Sequence, residues 1–449
     1  MTGLKKNFKY NSKSWEFDLT SKRIIAWLSN HNLTIEECDK NYLGLFNAMI
    51  QKQANHLMYE TNNSKIVNDK IIGCAAIILV GLCYKDQKNY LAYGLSLLKK
   101  ISNLTFDNYG FPKSRSIKHL IFYLKYFILI REWFKEAKIE VPDHVNETIY
   151  YLGQGYAFVW QNTKSDILMN GNNISNNFEF DILMNGNNIS NNVDFDHYLK
   201  RFGYKFKNEN KEFGGYAILN NKKISLVMDV GPPPISKLSS NYQSGALSFE
   251  ISSGGKKLIS NCGFYNNKNY KLIELSKSTA THSAIIINDH SSCVYKKINN
   301  KNYFVNQDLK ILKKNIIFEK NYWKINAAHN GYQKKYDIIL ERSIEFYPEQ
   351  LRFVGTDKIL NKKTNFNIKF EVRFHLEPNI KLMKTQDNKT ILIELEDDGW
   401  KFTCDNFDIN IDNGLYFGNK NSYAQNQNIF ISGITTNQNE NITWQLNKI

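Results

Sequence analysis

The chain has 449 residues, of which 42% are hydrophobic and 14% aromatic, which is enough for two large domains and excludes a disordered or fibrous protein. Lys and Arg number 58 against 43 Asp and Glu, a formal net charge of +15. This surplus favours polyanionic partners, although a general bias towards Lys and Asn accounts for it equally well. The six cysteines form no CxxC pair, which argues against a zinc ribbon or a disulfide framework.

The first residues and the longest apolar run bear on targeting. Residues 1–17 are positively charged but contain no apolar core of a signal peptide. The longest apolar run, residues 71–84, falls short of the roughly 20 residues that a membrane-spanning helix needs. The sequence therefore predicts no membrane span and shows no export signal.

Up to about residue 198, apolar residues recur with the spacing of helices. The predicted helices cover residues 19–28, 34–60, 65–84, 87–103, 115–137 and 142–160. The segment 117–134 is apolar almost all round, which is typical of a helix buried between neighbours. Five or six antiparallel helices of this length indicate a helical bundle, solenoid or toroid.

A perfect repeat lies at the end of this half. Residues 166–177 read DILMNGNNISNN, and residues 181–192 repeat the same letters. A single short repeat is not a solenoid, which needs several imperfect copies. We interpret it as a tandem duplication in an exposed, Asn-rich loop, where insertions cost little stability, and assign it no function.

Beyond residue 203 the apolar pattern changes to the period of two that is typical of strands. Predicted strands cover residues 248–252, 257–263, 283–289, 365–376 and 390–395. No apolar pattern of helix length interrupts them, which predicts an antiparallel β-sandwich. The predicted domains are therefore residues 1–200, helical, and residues 201–449, a sandwich.

Several segments resemble one family in the right order. They are SWEFDLTSKRIIAWLSN from residue 14, ILMNGNN (167–173), ISLVMDVGPPP (224–234), SGALSFEISSGGKKLISNCG (244–263), STATHSAIIINDHSS (278–292), AAHNGY (327–332), LERS (340–343), VRFHLEP (372–378) and DDGWKF (397–402). The chain thus resembles the heparinase II/III-like polysaccharide lyases over about residues 14–449. The resemblance implies an N-terminal (α/α) toroid-like helical domain and a C-terminal antiparallel β-sandwich. Family members usually carry further helical sequence upstream, so we expect the toroid to be incomplete here.

The family's activity implies an acidic polysaccharide as substrate. Its members cleave uronate-containing glycans by β-elimination, which needs neutralisation of the carboxylate, a base for the C5 proton and an acid for the departing oxygen. No cofactor is implied, and nucleic acid is not an expected partner because only the net charge supports it. The resemblance implies the periplasm or cell envelope, with the cytoplasm as the alternative because no export signal is present.

In the helical half, the resemblance points to four candidate catalytic residues. Asn55 and His56 stand where relatives bind the uronate carboxylate, although a polar pair on an amphipathic helix is often only solvated. The segment 107–119 resembles a loop that carries a catalytic Tyr in relatives. Here that position falls on Ile117, and Tyr109 is the substitute. Arg115 in the same loop suits a carboxylate because of its planar fork, and the alternative is an ion pair at a helix start.

In the sandwich half, the family's His-rich stretch before LSFE is replaced by NYQSGALSFE. Gln243 can hydrogen-bond a sugar but cannot shuttle protons. His282 does match and is the catalytic candidate, with a hydrogen-bonded histidine at a strand end as the alternative. A lone His282 cannot assemble a zinc site, so no metal is predicted.

Three further residues are substrate-binding candidates beside Gln243. They are His329 in AAHNGY and the pair Arg373 and His375, which share one face of a predicted strand. The alternative for the pair is a satisfied edge cluster. In the lyase interpretation, Asn55, His56, Arg115 and His282 gather at a cleft between the domains. The alternative is an inactive carbohydrate-binding or envelope-biogenesis protein, which the departures at Gln243 and Ile117 favour.

Overall fold

A computed structural model gives the fold of most of the chain. It describes residues 9–63, 67–84, 88–171, 182–184, 187–189, 192–265, 267–298, 302–305, 309–361, 367–396, 398–419, 422–435 and 439–449. By their contacts the residues form two compact units. The first comprises Met1–Pro112, His119–Gln154 and Asn177–Phe206, and the second Lys113–Lys118, Gly155–Asn176 and Lys207–Ile449. The domain ranges 1–200 and 201–449 stay a prediction.

The longer helices lie in the first half, as predicted. They are α1 (Phe17–Ser29), α2 (His31–Thr34), α3 (Lys40–Asn63), α4 (Val67–Cys83), α5 (Lys88–Thr105), α6 (Ile117–Glu136), α7 (Asp143–Tyr156) and α8 (Asn192–Arg201). A π-type turn, Ala157–Gln161, follows α7. The short helices α2 and α8 had no counterpart in the sequence analysis. Among the described residues, no helix combines the length and the apolar character that crossing a bilayer requires.

Helices α4 and α5 show how the sequence sets the packing of the first unit. All ten residues from 71 to 80 are buried. A Cβ atom at Gly81 would come within 2.5 Å of the Leu91 backbone nitrogen, and one at Gly94 within 2.7 Å of the Ile78 side chain. The two helices therefore approach closely because glycines stand at their contact.

The repeat departs from the sequence-based expectation. Residues 167–170 of the first copy are buried, and the Leu168 amide donates to the Glu250 carboxylate at 3.0 Å. In the second copy, β1 (Ile182–Met184) pairs with β2 (Asn187–Ile189) in a hairpin. The prediction of an exposed loop is therefore wrong for residues 167–170, whose apolar side chains and amides find partners in the second unit. The remaining positions of the repeat lie mostly outside the described residues.

The second unit is built from antiparallel strands. They are β3 (Glu212–Phe213), β4 (Tyr216–Asn220), β5 (Ile224–Asp229), β6 (Phe249–Ser253), β7 (Lys256–Ile259), β8 (Ile285–Ile287), β9 (Tyr295–Ile298), β10 (Asn302–Val305), β11 (Ile311–Phe318), β12 (Trp323–His329), β13 (Ile338–Tyr347), β14 (Arg352–Asn361), β15 (Ile368–His375), β16 (Lys381–Lys384), β17 (Thr390–Leu395), β18 (Asp398–Cys404), β19 (Ile409–Tyr416), β20 (Ala424–Thr435) and β21 (Glu440–Lys448). Three larger sheets have the orders β3-β4-β5-β6-β7, β19-β20-β15-β8 and β11-β12-β13-β14-β21-β18-β17-β16. The prediction of an antiparallel sandwich is confirmed.

One apolar core joins these sheets, because strands of all three contribute inward-facing side chains to it. At its centre the Trp444 ring stacks on Phe249 at 5.5 Å and on Phe402 at 5.8 Å between centroids. Gly355 lies under the same indole, where a Cβ atom would come within 2.0 Å of a ring atom. The Trp444 Nε1 donates to Asp357, which pairs with the buried Arg342.

Two short helices interrupt the strands, α9 (Tyr270–Ser276) and α10 (Gln333–Tyr336). The Asn269 side chain caps α9 by accepting hydrogen bonds from the amides of Lys271 and Leu272. A 3₁₀ turn, Thr279–Thr281, follows and leads directly into His282. These elements are too short to leave a helical period in the sequence, but they position the candidate site.

Candidate functional site

A buried arginine forms the first cluster of the second unit. Arg115 lies in the left-handed region with a φ of 57°, and its Nη2 is 2.6 Å from an oxygen of Asp229. Nη2 also donates to the Gly215 carbonyl, Nη1 to the carbonyls of Gly231 and Pro232, and Nε to the Gly214 carbonyl. All five N–H groups of the guanidinium thus have acceptors within the protein. This arrangement favours a positioning role for Arg115 over direct binding of a substrate carboxylate.

Two polar side chains complete this arginine cluster. The Tyr216 hydroxyl donates to the Arg115 carbonyl at 2.7 Å, and the guanidinium lies 5.0 Å from the Tyr216 ring centroid. Asn170 donates to the Tyr216 hydroxyl and to Asp229, at 2.6 and 3.2 Å. Burial raises the pKa of Tyr216 above its usual range. Tyr216 is therefore a protonated hydrogen-bond donor at neutral pH and not a ready base.

Gln243 joins three segments of backbone. Its Oε1 accepts from the Gly171 amide at 3.0 Å, and its Nε2 donates to the carbonyls of Gly263 and Ser276 at 3.0 and 2.6 Å. The side chain is fully buried. Since both ends of the amide are committed to backbone, the geometry favours a scaffold role for Gln243 over substrate binding.

His282 directly follows the 3₁₀ turn Thr279–Thr281, and its ring lies beside Gly245 in the loop 243–248. Its Nδ1 is 2.8 Å from the Ser278 carbonyl oxygen, which only accepts, so the neutral ring carries its proton on Nδ1. Nε2 is buried and has no hydrogen-bond partner among the described residues, and the same holds for Ser248 Oγ. A Cβ atom on Gly245 would lie 3.1 Å from Nε2 and 2.9 Å from Ser248 Oγ. Two buried polar atoms without partners therefore flank Gly245.

The protonation state of His282 follows from its surroundings. Burial lowers the pKa of His282 to about 4, although the hydrogen bond to Ser278 opposes this shift. The imidazole is consequently neutral at physiological pH, with its lone pair on Nε2. A neutral imidazole with one nitrogen anchored and the other unpartnered can accept a proton or a hydrogen bond.

The loop 243–248 connects His282 with the arginine cluster. The Leu247 amide donates to the Asp229 carbonyl, and the Asp229 amide donates to the Ser248 carbonyl. Leu247 adopts a φ of 59°, a conformation that a branched side chain rarely takes. Arg115, Gln243 and His282 thus belong to one continuous hydrogen-bonded region of the second unit.

The remaining candidates of the sandwich are engaged elsewhere. Both nitrogens of His375 have partners, Cys262 Sγ at 3.2 Å and the Ala280 carbonyl at 2.9 Å. Arg373 pairs with Glu371 at 2.7 Å and contacts Asp412 and Asn428. The polar groups of both side chains are thus satisfied within the protein, although β15 lies between β20 and β8 and not at an edge, and the predicted role of Arg373 stays a prediction.

His329 is likewise buried, and its Nδ1 accepts from the Gly331 amide at 3.0 Å. Burial lowers the pKa of His329 to about 3, with a smaller contribution from Arg342. Burial also lowers the pKa of His375 to about 3. Both rings are therefore neutral members of the core at physiological pH, and their predicted role in substrate binding stays a prediction.

The first unit holds the other candidates. Asn55 is exposed on α3 and accepts a hydrogen bond from the Tyr90 hydroxyl at 2.8 Å, so its amide nitrogen remains as the donor side. His56 Nε2 contacts the Trp15 carbonyl at 3.0 Å, and its ring packs against the Trp15 indole. The geometry therefore suits Asn55 to a carboxylate ligand and His56 to a structural role.

Tyr109 lies in a loop of the first unit that Asp107 organises. One carboxylate oxygen of Asp107 accepts from the amides of Tyr109 and Phe111, each at 2.9 Å. The Tyr109 side chain is 69% exposed, whereas Ile117, the position that matches the family's Tyr, is 1% exposed. Tyr109 is thus the accessible phenol of this segment.

Several residues of the site escaped the sequence analysis. Asp229, Tyr216 and Asn170 complete the arginine cluster, and Ser248 shares the surroundings of His282. Asp229 left a signal, because a lone carboxylate ends the apolar run ISLVM two residues before a glycine. A Cβ atom on that glycine, Gly231, would come within 2.7 Å of the guanidinium carbon. Among the described residues, no group of three His, Cys, Asp or Glu side chains is placed to hold a metal ion.

Comparison with known proteins places this geometry in context. Residues 211–445 match the family model described as heparinase II/III-like, C-terminal. A mutant of the heparan sulfate lyase from Pedobacter heparinus is similar in structure, with a TM-score of 0.75 at 12% identity over 99% of this chain and 70% of that one. A heparinase III structure gives a TM-score of 0.74 at 14% identity, over 100% and 72% of the respective chains. No curated protein sequence matches the chain. The structural likeness confirms the predicted fold class, a toroid-like helical domain with a β-sandwich.

Proposed function

This chain belongs to the heparinase II/III-like family, and on that premise we propose that it is a polysaccharide lyase that cleaves an acidic, uronate-containing glycan by β-elimination. In this reaction a base removes the proton at C5 of the uronate. The electron pair forms the C4–C5 double bond and expels the glycosidic oxygen from C4. That oxygen takes up a proton, and the new end is a 4,5-unsaturated uronate.

The observation that carries the proposal is the state of His282. Its ring is held through Nδ1, while Nε2 has no partner among the described residues. His375, equally buried, uses both of its nitrogens in contacts with protein atoms. A buried polar atom without a partner costs about 1–3 kcal/mol, so its presence at a motif position of the family favours a functional role. We assign His282 to proton transfer or hydrogen bonding with the substrate.

Two groups of the first unit suit the other steps. Asn55 is exposed and retains its amide donor, which suits the neutralisation of a carboxylate by hydrogen bonding. Tyr109 offers an exposed phenol, which suits abstraction of the C5 proton or protonation of the leaving oxygen. The net charge of +15 attracts a polyanionic substrate at a distance.

The test is a screen for the unsaturated product by its absorbance in the near ultraviolet. Heparan, hyaluronan, alginate and bacterial capsular glycans serve as substrates. At least one is expected to give a rising absorbance that His282→Ala abolishes, while His31→Ala, an exposed histidine on α2, leaves it unchanged. If none of the four classes gives a rise, or if His282→Ala cleaves at the original rate, the proposal fails.

A second candidate function is binding of an acidic glycan without cleavage. Two observations favour this function. The side chains of Arg115 and Gln243 both form their hydrogen bonds with other protein atoms, and not with a substrate. This function predicts saturable binding of an acidic glycan with no absorbance change. A location in the periplasm or cell envelope is part of the proposal, and fractionation of cells expressing the full-length protein tests it.

A further inference from the structure

A cavity of about 810 Å³ opens on the second unit, apart from the His282 region. It lies between the segment after β8 and the segment that joins β12 to β13. The lining residues are His290, Ser291, Val294, Asn330, Gly331, Tyr332, Gln333, Lys334, Lys335 and Tyr336. Its volume falls in the range of ligand-binding pockets, and the reaction proposed above uses none of these side chains.

The charge of the lining is one-sided. Lys334 and Lys335 are exposed, and among the described residues no acidic side chain lines the cavity. The Lys335 Nζ lies 5.4 Å from the centroid of the Tyr336 ring, which keeps the ammonium group beside the cavity. A cavity with this lining attracts an anion.

Aromatic side chains hold the shape of the cavity. The Tyr332 hydroxyl donates to the His290 carbonyl at 2.9 Å, and Tyr332 is 2% exposed. His290 Nδ1 lies 2.5 Å from the Asn288 carbonyl and 2.9 Å from the Tyr336 hydroxyl. Since the carbonyl only accepts, Nδ1 carries the proton and Nε2 is the acceptor of the neutral ring. These hydrogen bonds connect the two lining segments and preorganise the cavity for a ligand.

We propose that this cavity is a binding subsite for an acidic sugar unit, separate from the cleavage site. The two lysines contact the carboxylate or sulfate, and the tyrosine and valine surfaces contact the apolar face of the pyranose ring. Asn330 and Gln333 supply neutral polar groups for hydroxyls. The choice of a sugar as ligand rests on the proposed function, whereas the preference for an anion rests on the lining alone.

The chain provides a matched control for the lysine pair. Lys222 and Lys223 are also adjacent and exposed, and they lie in the turn between β4 and β5, outside the cavity. The double variants Lys334→Gln/Lys335→Gln and Lys222→Gln/Lys223→Gln lower the net charge equally. Any difference between them therefore reports local contacts and not long-range attraction.

The experiment is calorimetric titration of the full chain with size-defined hyaluronan and heparan sulfate oligosaccharides, with chitotetraose as a neutral probe. In the His282→Ala background, which prevents turnover, at least one acidic probe is expected to bind and chitotetraose is not. Loss of both Lys334 and Lys335 is expected to weaken binding about tenfold, as for two exposed charge contacts, whereas the control pair changes it less than twofold. Equal effects of the two pairs, or no acidic probe bound, would overturn the inference.

The outcome separates this subsite from the proposed reaction. Binding by the His282→Ala variant that depends on Lys334 and Lys335, together with no unsaturated product from the protein that retains His282, supports the subsite and refutes the lyase. Cleavage that proceeds while both lysine pairs behave alike supports the lyase and refutes the subsite. Tyr336→Phe is a second variant, expected to loosen the contact with His290 and to weaken binding while the melting temperature is retained.

Discussion

Replacement of Arg115 by Ala is expected to destabilise the second unit severely. The change removes five hydrogen bonds and leaves Asp229, whose side chain is 1% exposed, without its cation. Breaking a buried ion pair on one side typically costs about 3–5 kcal/mol. Asp229 keeps hydrogen bonds from Asn170 and from the Gly231 amide, both at 3.2 Å, which places the expected loss near the lower end, about 3 kcal/mol.

The backbone of Arg115 supplies a sharper test of the same reasoning. Because φ is 57°, a glycine here avoids strain that alanine retains, so Arg115→Gly should be about 1 kcal/mol less destabilising than Arg115→Ala. This order is the reverse of what most sites show. Chemical denaturation measures both, with Lys381→Ala as the control, because its pair with Glu394 is exposed and contributes less than about 1 kcal/mol. A loss below about 1 kcal/mol for Arg115→Ala would refute the assignment to the scaffold.

Three further predictions concern the buried histidines, Gln243, and the pair Asn55 and His56. The folded pKa values of His282 (about 4), His329 and His375 (about 3 each) lie below the ordinary value of 6.5. The unfolded chain therefore binds protons that the folded chain does not between about pH 6.5 and 4. Stability should fall on acidification, by about 1.4 kcal/mol per pH unit for each of these histidines, and His329→Gln should lower the measured slope by about that amount. Gln243→Ala strands buried backbone groups and is expected to lower the free energy of unfolding by about 2–4 kcal/mol, with an unchanged melting temperature as the contrary result. Asn55→Ala should suppress cleavage and leave melting unchanged, whereas His56→Ala should lower the melting temperature, and the opposite pattern would exchange their roles.

The two periodicities of apolar residues, helical spacing and strand-like alternation, predicted the fold class and the long helices. Helical spacing located the long helices to within a few residues, except that α3 begins at residue 40 and not at residue 34. Alternation located five of the strands, β6, β7, β8, β15 and β17, because each periodicity reports which face is buried. The short helix α9 and the 3₁₀ turn before His282 escaped, since elements of a few residues leave no period. The sequence also did not predict the burial of residues 167–170. Both copies of the Asn-rich repeat have the composition of a loop, so composition does not indicate which copy is packed.

The candidate site was less accessible to sequence reasoning. Motif order identified Arg115 and His282, yet a guanidinium fork fits a substrate carboxylate and an internal one equally well. Whether the Arg115 guanidinium binds a substrate carboxylate or an internal one depends on Asp229, which lies more than a hundred residues away along the chain. The unpartnered Nε2 of His282 is likewise a property of packing around Gly245, which no local pattern reports.

Cleavage in isotopically labelled water tests the central claim most directly. Elimination breaks the bond between C4 and the glycosidic oxygen without adding water. Mass spectrometry of the products should therefore show an unsaturated uronate end and no oxygen from the solvent. A saturated product pair with one solvent oxygen per cleaved bond, at the new reducing end, would show hydrolysis and contradict the account.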